Sequence, residues 1–339
     1  MRFLDQRRLP LEERFVDAGC VEEIAEGIRS LAIRGAPLIG IAAAYGVALA
    51  AASMSGTPVN ELRLRLAKAI DLLASTRPTA VNLFWALDRQ RKVLNAWKSD
   101  SLEELQNNLL SEAKQIHQED AGMCEKISTL GAALLPPSCS VMTHCNSGIL
   151  ATGGRGTAVG IITRAWELGK IKHVYINETR PLLQGARLTS WEMKLRQIPA
   201  TLAVDAAAAF LMQQGKIDAV IVGADRIAEN GDVANKVGTY MLAVAARHHK
   251  IPFYVAAPGS TVDPGIRNGG AIPIEIRDRS EVAGFRGMQT APDGMDAYAP
   301  AFDITPNELI TAIITDRGVH RAPYSGSLAP YTGTRLHAR

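Results

Sequence analysis

Side chains of several chemical types stand in loops that follow predicted strands of this chain. Cys145 offers a thiol that can act as a nucleophile or a base, and Asp225 offers a carboxyl that can exchange a proton. Gln184, Asn235 and Lys236 add amide and ammonium groups that can bind the oxygens of a ligand. A thiol, a carboxyl, amides and an ammonium group in such loops together indicate one functional crevice.

Further positive charge comes from the N-terminal part of the chain. Arg34, followed by Gly35 and Ala36, leads into one predicted helix, and Arg77 precedes another. Each candidate has an ordinary structural explanation, because a lone cysteine is often a small buried residue, a lone aspartate a helix cap and a lone arginine a solvated charge. The combination of all of them favours a binding site.

A glycine run, Gly154-x-Gly156-x-x-x-Gly160, is similar to a dinucleotide-binding fingerprint, and Glu178 follows at a plausible distance for a ribose contact. That fingerprint opens directly after a strand, whereas here Asn146–Gly153 intervenes. The pattern is therefore weak evidence for an NAD-dependent dehydrogenase. Amides at the start of the following helix could hold a phosphate without any nucleotide.

Helix-like periodicity with good helix formers dominates the chain up to residue 135. The predicted helices are Glu22–Leu31, Pro37–Met54, Asn60–Ala74, Ala80–Trp97 and Leu102–Leu134, with one or two short strands before Gly19. Leu135-Pro136-Pro137 ends this pattern. We therefore predict a mostly helical N-terminal domain over residues 1–135.

From residue 136 onward, short apolar runs alternate with helix-like stretches. The predicted strands are Val141–Cys145, His173–Asn177, Thr201–Val204, Ala219–Gly223, Phe253–Ala256 and Ile272–Ile276, and the predicted helices are Thr157–Leu168, Gly185–Gln197, Asp205–Gln214 and Asn235–His249. This alternation predicts a Rossmann-like α/β domain with a parallel sheet over residues 136–324, which binds ligands beyond the carboxyl ends of its strands. Residues 325–339 are expected to form a polar, mobile tail.

The composition is that of a globular protein, with 339 residues, 47% hydrophobic and 21% charged. A net charge of +3 without blocks of like charge argues against a nucleic-acid partner. Ala36–Met54 is uncharged, but its Ala and Gly content predicts a buried helix and no membrane insertion. Four cysteines without metal-ligand spacing, and an N-terminus without a signal segment, predict a cytoplasmic protein.

Several long motifs resemble, in the right order, those of the S-methyl-5-thioribose-1-phosphate isomerase family in the initiation factor 2B alpha/beta/delta-like superfamily. They are Arg34-Gly35-Ala36-Pro37, Thr143–Gly148, Glu178–Thr189, Gly223–Ile227 and Asn230–Lys236. The resemblance extends from about Asp5 to Tyr324. It implies an aldose–ketose isomerase that converts 5-methylthioribose 1-phosphate to 5-methylthioribulose 1-phosphate in methionine salvage.

The resemblance also implies roles for individual residues. It makes Cys145 and Asp225 the catalytic pair. The substrate-binding residues that it implies are Arg34, Gly35, Ala36, Arg77, Gln184, Asn235 and Lys236. It further implies a homodimer that binds a small sugar phosphate and needs no metal or redox cofactor.

The reaction would make demands on both catalytic residues. The phosphate on carbon 1 locks the sugar ring, so an acid must protonate the ring oxygen, and an aspartate at its ordinary pKa of about 3.9 is ionised at neutral pH. We therefore expect an apolar pocket that raises the pKa of Asp225, with Val220–Val222 leading into it. Cys145 could carry a proton from carbon 2 to carbon 1 as a thiolate, or tune the electrostatics around a direct hydride shift.

Two other readings remain open. An isomerase for ribose 1,5-bisphosphate or 5-deoxyribose 1-phosphate would share the reacting carbons and differ where the carbon 5 substituent binds. A non-catalytic regulatory subunit, like the initiation-factor relatives, would have no need of Cys145 and Asp225 together.

Overall fold

The computed structural model describes residues 1–99, 101–285 and 287–332 of the chain. Contacts between residues divide it into two compact units. The N-terminal unit comprises Met1–Glu125 and Gly148–Gly156, and the C-terminal unit comprises Lys126–Ser147 and Thr157–Arg339. The mixed α/β architecture predicted from the sequence is confirmed.

The N-terminal unit is mostly helical. Its elements are β1 Arg2–Leu4, β2 Phe15–Asp17, α1 Val21–Arg29, α2 Ala36–Ala52, α3 Val59–Ala74, α4 Val81–Ala96 and the first turns of α5 Leu102–Ala133. The two strands pair antiparallel before residue 19, and each predicted helix lies within two residues of its expected bounds. Amphipathic periodicity located these helices because most of them bury only one face.

Helix α2 is an exception, since most of its side chains are buried on all sides. Its glycines allow close helix packing: a Cβ added at Gly40 would lie 2.5 Å from the carbonyl oxygen of Asn82 at the start of α4. This explains the uncharged Ala- and Gly-rich sequence. Over the described residues, no helix has both the length and the apolar character needed to cross a membrane.

The C-terminal unit begins within α5 and alternates strands with helices. Its further elements are β3 Cys139–Thr143, α6 Ala158–Glu167, β4 Ile171–Asn177, a π-helical turn Gly185–Thr189, α7 Ser190–Leu195, β5 Ala200–Ala203, α8 Ala208–Gln213, β6 Ala219–Val222, β7 Arg226–Ala228, β8 Val233–Lys236, α9 Thr239–His248, β9 Phe253–Ala256, β10 Val262–Asp263, α10 Ser280–Ala283, β11 Gly284–Phe285, β12 Met288–Gln289, β13 Phe302–Thr305, β14 Ala312–Thr315, β15 Gly318–His320, α11 Tyr324–Ser327 and α12 Ala329–Thr332.

The main sheet has the strand order β15-β14-β9-β6-β3-β4-β5 in the described chain. All neighbouring strands are parallel except the edge pair β14–β15. Helix α6 packs against β3, β4 and β6 of this sheet, and it also lies close to α5, since a Cβ added at Gly131 would lie 2.2 Å from Ile161. The five predicted strands from β3 to β9 are confirmed as members of this sheet.

Other predictions for this unit are wrong. Ile272–Ile276 forms no strand; only Ile276 bridges to Pro300, and the sixth parallel strand is β14 instead. The predicted helix over Asn235–His249 begins only at Thr239, because Val233–Lys236 is a strand of a second sheet with the order β10-β7-β8-β13. The strand β8 pairs with β7, which precedes it across a short turn, and with β13, which lies far away in the sequence. Sequence periodicity therefore gave no signal for β8.

The beginning of the predicted polar tail is folded rather than mobile. Tyr324, Leu328 and Tyr331 are buried in the same apolar cluster as the strands β6 and β9. The Tyr324 hydroxyl donates to the carbonyl oxygen of Ile310 at 2.7 Å. The rest of the predicted tail, residues 333–339, lies outside the described residues.

The two compact units divide the chain elsewhere than the predicted boundary after residue 135. Helix α5 continues past Glu125 and supplies Ile127 and Ala132 to the core of the C-terminal unit. The segment Gly148–Gly156 packs with the N-terminal unit although it follows β3 in the sequence. Proline marks where a helix must end, and it carries no information about which core that helix joins.

Candidate active site

The carboxyl ends of two adjacent parallel strands bring the predicted catalytic residues to one edge of the main sheet. Strands β3 and β6 pair with Met142 opposite Val220, so the loop with Cys145 and the loop with Asp225 leave the sheet side by side. These loops touch, since a Cβ added at Gly223 would lie 3.0 Å from the Cβ of Ser147. This edge is where parallel sheets bind ligands.

The main chain of Cys145 has a strained conformation that neighbouring hydroxyl groups support. Its φ is 62°, in the left-handed region, which costs a non-glycine residue about 1–2 kcal/mol. The Cys145 N–H donates to Thr179 Oγ1 at 2.9 Å, and its carbonyl oxygen accepts from Thr189 Oγ1 at 2.5 Å. Cys145 itself is half-buried.

Gln184 follows the neighbouring strand β4 and belongs to the same edge. Its side chain is buried, and its Oε1 finds no hydrogen-bond partner among the described residues. A buried amide oxygen in this position can accept a hydrogen bond from a water molecule or a ligand.

Asp225 stands at the start of the second sheet. Its N–H donates to the carbonyl oxygen of Ala234 on β8 at 2.9 Å, one residue before β7 begins. Val220, Ile221 and Val222 of β6, which lead to it, are all completely buried, and Asp225 itself is half-buried. The strand that leads to Asp225 is therefore apolar and buried, and the apolar pocket that raises the pKa of its carboxyl stays a prediction.

Asn235 and Lys236 lie on β8 beside Asp225, and both are buried. The Lys236 ammonium donates to the carbonyl oxygen of Ala301 at 2.7 Å and lies 5.0 Å from the ring centroid of Phe302. Asn235 Nδ2 donates to Thr239 Oγ1 at 3.0 Å. An ammonium group has three donors and a full positive charge, so its chemistry suits an anion.

Two further titratable groups, Asp303 and His144, lie next to Asn235 and Lys236. Asp303 of β13 accepts the N–H of Gly238 at 2.7 Å, and burial nevertheless raises its pKa to about 6. His144 Nε2 lies 2.8 Å from the carbonyl oxygen of Val237, which can only accept, so Nε2 carries the proton and donates it. Burial lowers the pKa of His144, so the ring is neutral and joins the ends of β3 and β8.

The remaining predicted residues belong to the N-terminal unit. Arg34 and Arg77 are both half-buried and precede α2 and α4 respectively. Gly35 caps α2 with a φ of 103°, and a Cβ there would lie 2.5 Å from Cα of Ala151. Ala36 is the first residue of α2. At position 35 only glycine fits, because the φ is positive and an added Cβ would overlap with Ala151.

The glycine run has a packing explanation within the N-terminal unit. A Cβ added at Gly154 would lie 2.8 Å from Cα of Ala121 on α5, and one added at Gly153 would lie 2.5 Å from Cδ2 of His117. The Gly153 N–H donates to the buried carboxylate of Asp120 at 2.6 Å. These glycines let the loop lie against helix α5, so the glycine run has a structural explanation that requires no dinucleotide.

The sequence reasoning missed several residues that shape this edge. Thr179 and Thr189 stood inside a recognised motif, but their contacts with Cys145 depend on the loop conformation. Asp303 gave no signal at all, because it reaches the site only through the pairing of β13 with β8. Across the part of the chain that the structure describes, no three His, Cys, Asp or Glu side chains are grouped as metal ligands.

The fold and these residues define a class: a mixed α/β protein in which a thiol and a carboxyl follow adjacent strands of a parallel sheet and an ammonium lies on a second sheet. Comparison with known proteins gives the family. Residues 32–322 match the Initiation factor 2 subunit family, and the chain belongs to that family.

Curated relatives extend the match to nearly the whole chain. The methylthioribose-1-phosphate isomerase of Heliobacterium modesticaldum is 51% identical over 332 residues, which cover 98% of this chain and 96% of the relative. The methylthioribose-1-phosphate isomerase of Chloroflexus aurantiacus is 52% identical over 325 residues, covering 96% and 94%.

Solved structures show the same fold. The 5-methylthioribose 1-phosphate isomerase of Pyrococcus horikoshii is 44% identical, with a TM-score of 0.92 over 98% of this chain and 93% of that one. A structure from A. fulgidus described as translation initiation factor eIF-2B, subunit delta, is 45% identical, with a TM-score of 0.87 over 98% and 97%.

Proposed function

We propose that this protein is an aldose–ketose isomerase that converts 5-methylthioribose 1-phosphate to 5-methylthioribulose 1-phosphate in methionine salvage. The observation that carries this proposal is the meeting of the Cys145 and Asp225 loops at the carboxyl ends of β3 and β6. Relatives about half identical over nearly the whole chain bear the name of this activity.

The chemistry assigns Asp225 a proton that it gives and then recovers. As the bond between carbon 1 and the ring oxygen breaks, protonated Asp225 delivers its proton to that oxygen. When the hydroxyl on carbon 2 becomes a carbonyl, the Asp225 carboxylate takes the hydroxyl proton. The group returns to its starting state, and the sugar has gained and lost no atoms.

Cys145 serves the hydrogen that moves from carbon 2 to carbon 1, by one of two routes. In the proton route, the thiolate removes the hydrogen from carbon 2 as a proton, a carbon–carbon double bond forms, and the thiol returns the proton to carbon 1. In the hydride route, the hydrogen moves directly with its electron pair, and Cys145 shapes the electrostatics around it.

Deuterium on carbon 2 of the substrate separates the two routes. Loss of part of the label to solvent requires the proton route. Complete retention of deuterium on carbon 1 favours the hydride route. Internal transfer of the deuterium at a reduced rate by a Cys145→Ala variant would establish the hydride route, because that variant has no thiol to carry a proton.

The binding residues follow from their chemistry. Lys236 and the guanidinium groups of Arg34 and Arg77 are proposed to hold the phosphate, because these groups bind phosphate oxygens strongly. The buried Oε1 of Gln184 is suited to accept a hydrogen bond from a sugar hydroxyl. Asn235, with Gly35 and Ala36, completes the proposed set.

Isomerases of related sugars and a non-catalytic role are the alternatives. A phosphate at carbon 5, as in ribose 1,5-bisphosphate, needs an additional cationic pocket, whereas a methylthio group at carbon 5 needs apolar walls. The similarity to the A. fulgidus structure favours the regulatory-subunit alternative, and the similarity to the P. horikoshii isomerase is comparable.

The assembly and compartment belong to the proposal as well. Exposed apolar side chains on β5, α8 and α9, namely Leu202, Val204, Phe210, Tyr240, Met241 and Val244, suit a homodimer interface. The four cysteines form no disulfide in the described chain, which suits the cytoplasm. The proposed reaction uses no metal or redox cofactor, since every proton has a donor and an acceptor in it.

Phosphorus and proton NMR of the purified protein tests the activity directly. The protein is mixed, without added cofactor, with 5-methylthioribose 1-phosphate and in parallel with ribose 1,5-bisphosphate and 5-deoxyribose 1-phosphate. We expect rapid conversion of the methylthio sugar to its ketose phosphate. Preference for another sugar would retain the reaction and change the substrate; no turnover of any sugar would contradict the proposal.

A further inference from the structure

Two strained residues stand side by side at the carboxyl ends of β3 and β4. Cys145 has a φ of 62° and Thr179 a φ of 66°. A left-handed conformation is uncommon for cysteine and rarer still for a β-branched residue such as threonine. Strain of this kind persists only where surrounding contacts enforce it, and it concentrates at functional sites.

Hydrogen bonds with defined directions enforce the strained pair. The Cys145 N–H donates to Thr179 Oγ1, whose own proton goes to the carbonyl oxygen of Asn177 at 3.0 Å. On the other side, Thr189 Oγ1 gives its proton to the Cys145 carbonyl oxygen. Both polar groups of the Cys145 main chain are thus paired with threonine hydroxyls.

A second layer fixes those hydroxyls. The amide Nδ2 of Asn146 donates to Thr189 Oγ1 at 3.3 Å and to Oε1 of Glu192 at 2.7 Å, and Glu192 is completely buried. Thr179 is fixed from outside, since its N–H donates to Asp205 Oδ1 at 2.8 Å. Each hydroxyl therefore has one direction in which its proton can point.

The π-helical turn that carries Thr189 depends on a close approach to β4. A Cβ added at Gly185 would lie 1.7 Å from the carbonyl oxygen of Asn177, so only glycine lets the turn begin there. π-helical turns are rare and occur often at functional sites. Here the wider turn brings Thr189 to the Cys145 carbonyl.

We propose that Thr179 and Thr189 are positioning residues that hold Cys145 in the left-handed conformation from which its thiol serves the reaction. This inference rests on the proposed isomerase activity. Neither threonine is assigned contact with the substrate. Their removal should therefore lower kcat and leave KM nearly unchanged, because a small displacement of a reacting group costs rate rather than affinity.

The variants are chosen to separate positioning from folding. Thr189→Val removes the hydroxyl at constant shape, and Thr189→Ser restores it; Thr179→Ala and Thr179→Ser form the second pair. Thr163→Val is the matched control, since Thr163 is also a buried helical threonine of the C-terminal unit, and its hydroxyl donates to Gly160 within α6.

Two readouts are measured for each variant. Steady-state kinetics should show kcat reduced about 100-fold in Thr189→Val and Thr179→Ala, KM within about threefold of the wild type, and near-normal kcat in both serine variants and the control. Alkylation of Cys145 by iodoacetamide without substrate, followed by peptide mass spectrometry, should become faster in Thr189→Val and Thr179→Ala, because release of the loop exposes the half-buried thiol.

The second readout separates failure of this inference from failure of the proposed function. The positioning role would be overturned if Thr189→Val had the kcat and the alkylation rate of the wild type. It would also be overturned if the serine variants lost as much kcat as the valine and alanine variants. Faster Cys145 alkylation in a protein that turns over no sugar phosphate would retain the positioning role and overturn the isomerase activity.

Discussion

The N–H of Asp225 donates to the carbonyl oxygen of Ala234 at 2.9 Å, which ties the loop after β6 to β8 directly beside Asn235. A proposed acid and a proposed ligand-binding amide are thus both fixed by β8. Lys236 is the next residue on that strand. The second sheet is therefore what assembles this half of the site, although it is small and was not foreseen.

The first prediction concerns the catalytic pair. Cys145→Ser and Asp225→Asn should each lower kcat by about 10²–10⁴-fold, the usual contribution of a general acid or base. Both changes are nearly isosteric, so circular dichroism and substrate affinity by calorimetry should stay close to those of the wild type. Cys20→Ser, at the half-buried cap of α1, is the control and should retain full activity. Near-normal turnover by either site variant would refute the assignment.

The second prediction concerns phosphate binding by Lys236. Lys236→Met keeps the length of the side chain and removes its charge, so KM should rise about 10–100-fold, the value of a charged hydrogen bond, with a smaller change in kcat. Lys172→Met, at an exposed position of β4, should leave both constants unchanged. An unchanged KM in Lys236→Met would exclude Lys236 from the phosphate site.

A third prediction follows from Asp120 on α5. Burial raises its pKa from 3.8 to about 6 even though it accepts the Gly153 N–H. Well below pH 3.8 the carboxyl is protonated in both folded and unfolded chains. As the pH rises from about 4 through about 6, the unfolded chain is ionised while the folded chain still holds the proton, so the contribution of Asp120 to the free energy of unfolding falls, by up to about 3 kcal/mol at pH 7.

Asp120→Asn should remove that part of the pH dependence. Urea unfolding at pH 4.5 and pH 7.5 should show the variant gaining stability relative to the wild type at the higher pH, since asparagine stays neutral and still accepts the Gly153 N–H. Asp296→Asn, at an exposed position, should show no such gain. Equal differences from the wild type at both pH values would contradict the prediction.

The fourth prediction concerns glycine at the start of α2. Gly35→Ala should lower the free energy of unfolding by about 3 kcal/mol, because of the positive φ and the overlap with Ala151. Gly122→Ala, at an exposed position of α5 where an added Cβ meets nothing within 4 Å, should instead raise it by about 1 kcal/mol. Thermal unfolding of both variants measures the contrast. Equal shifts of the two variants would refute the steric explanation.

Sequence patterns located the elements that repeat locally, and they located the strand ends where chemistry gathers. Helices α1 to α5 and the strands that lead to Cys145 and Asp225 have periodic or apolar runs of their own. Asn235 and Lys236 were assigned to a helix because their neighbourhood is rich in helix formers, whereas the pairing of β8 with β7 and β13 determines their conformation. Non-local pairing of short strands leaves no local pattern to detect.

The same distinction holds for the site. Residue types and motif order identified Cys145, Asp225 and their neighbours, since chemistry depends on functional groups. The contacts of Thr179 and Thr189 with Cys145 depend on left-handed main-chain conformations. Asp303 lies far from Lys236 in the sequence and reaches the site through strand pairing; its hydrogen bond with the Gly238 N–H spans 65 residues. Such relationships require coordinates.

The return of Gly148–Gly156 to the N-terminal unit has a consequence for synthesis of the protein on the ribosome. Until that segment has emerged from the exit tunnel, Asp120 lacks the N–H of Gly153, and His117 Nε2 lacks the carbonyl oxygen of the same residue. The N-terminal unit therefore cannot complete its contacts as soon as Glu125 is translated. Its final packing can form only after β3 of the C-terminal unit has been synthesised, because two separate segments of the chain make up the N-terminal unit.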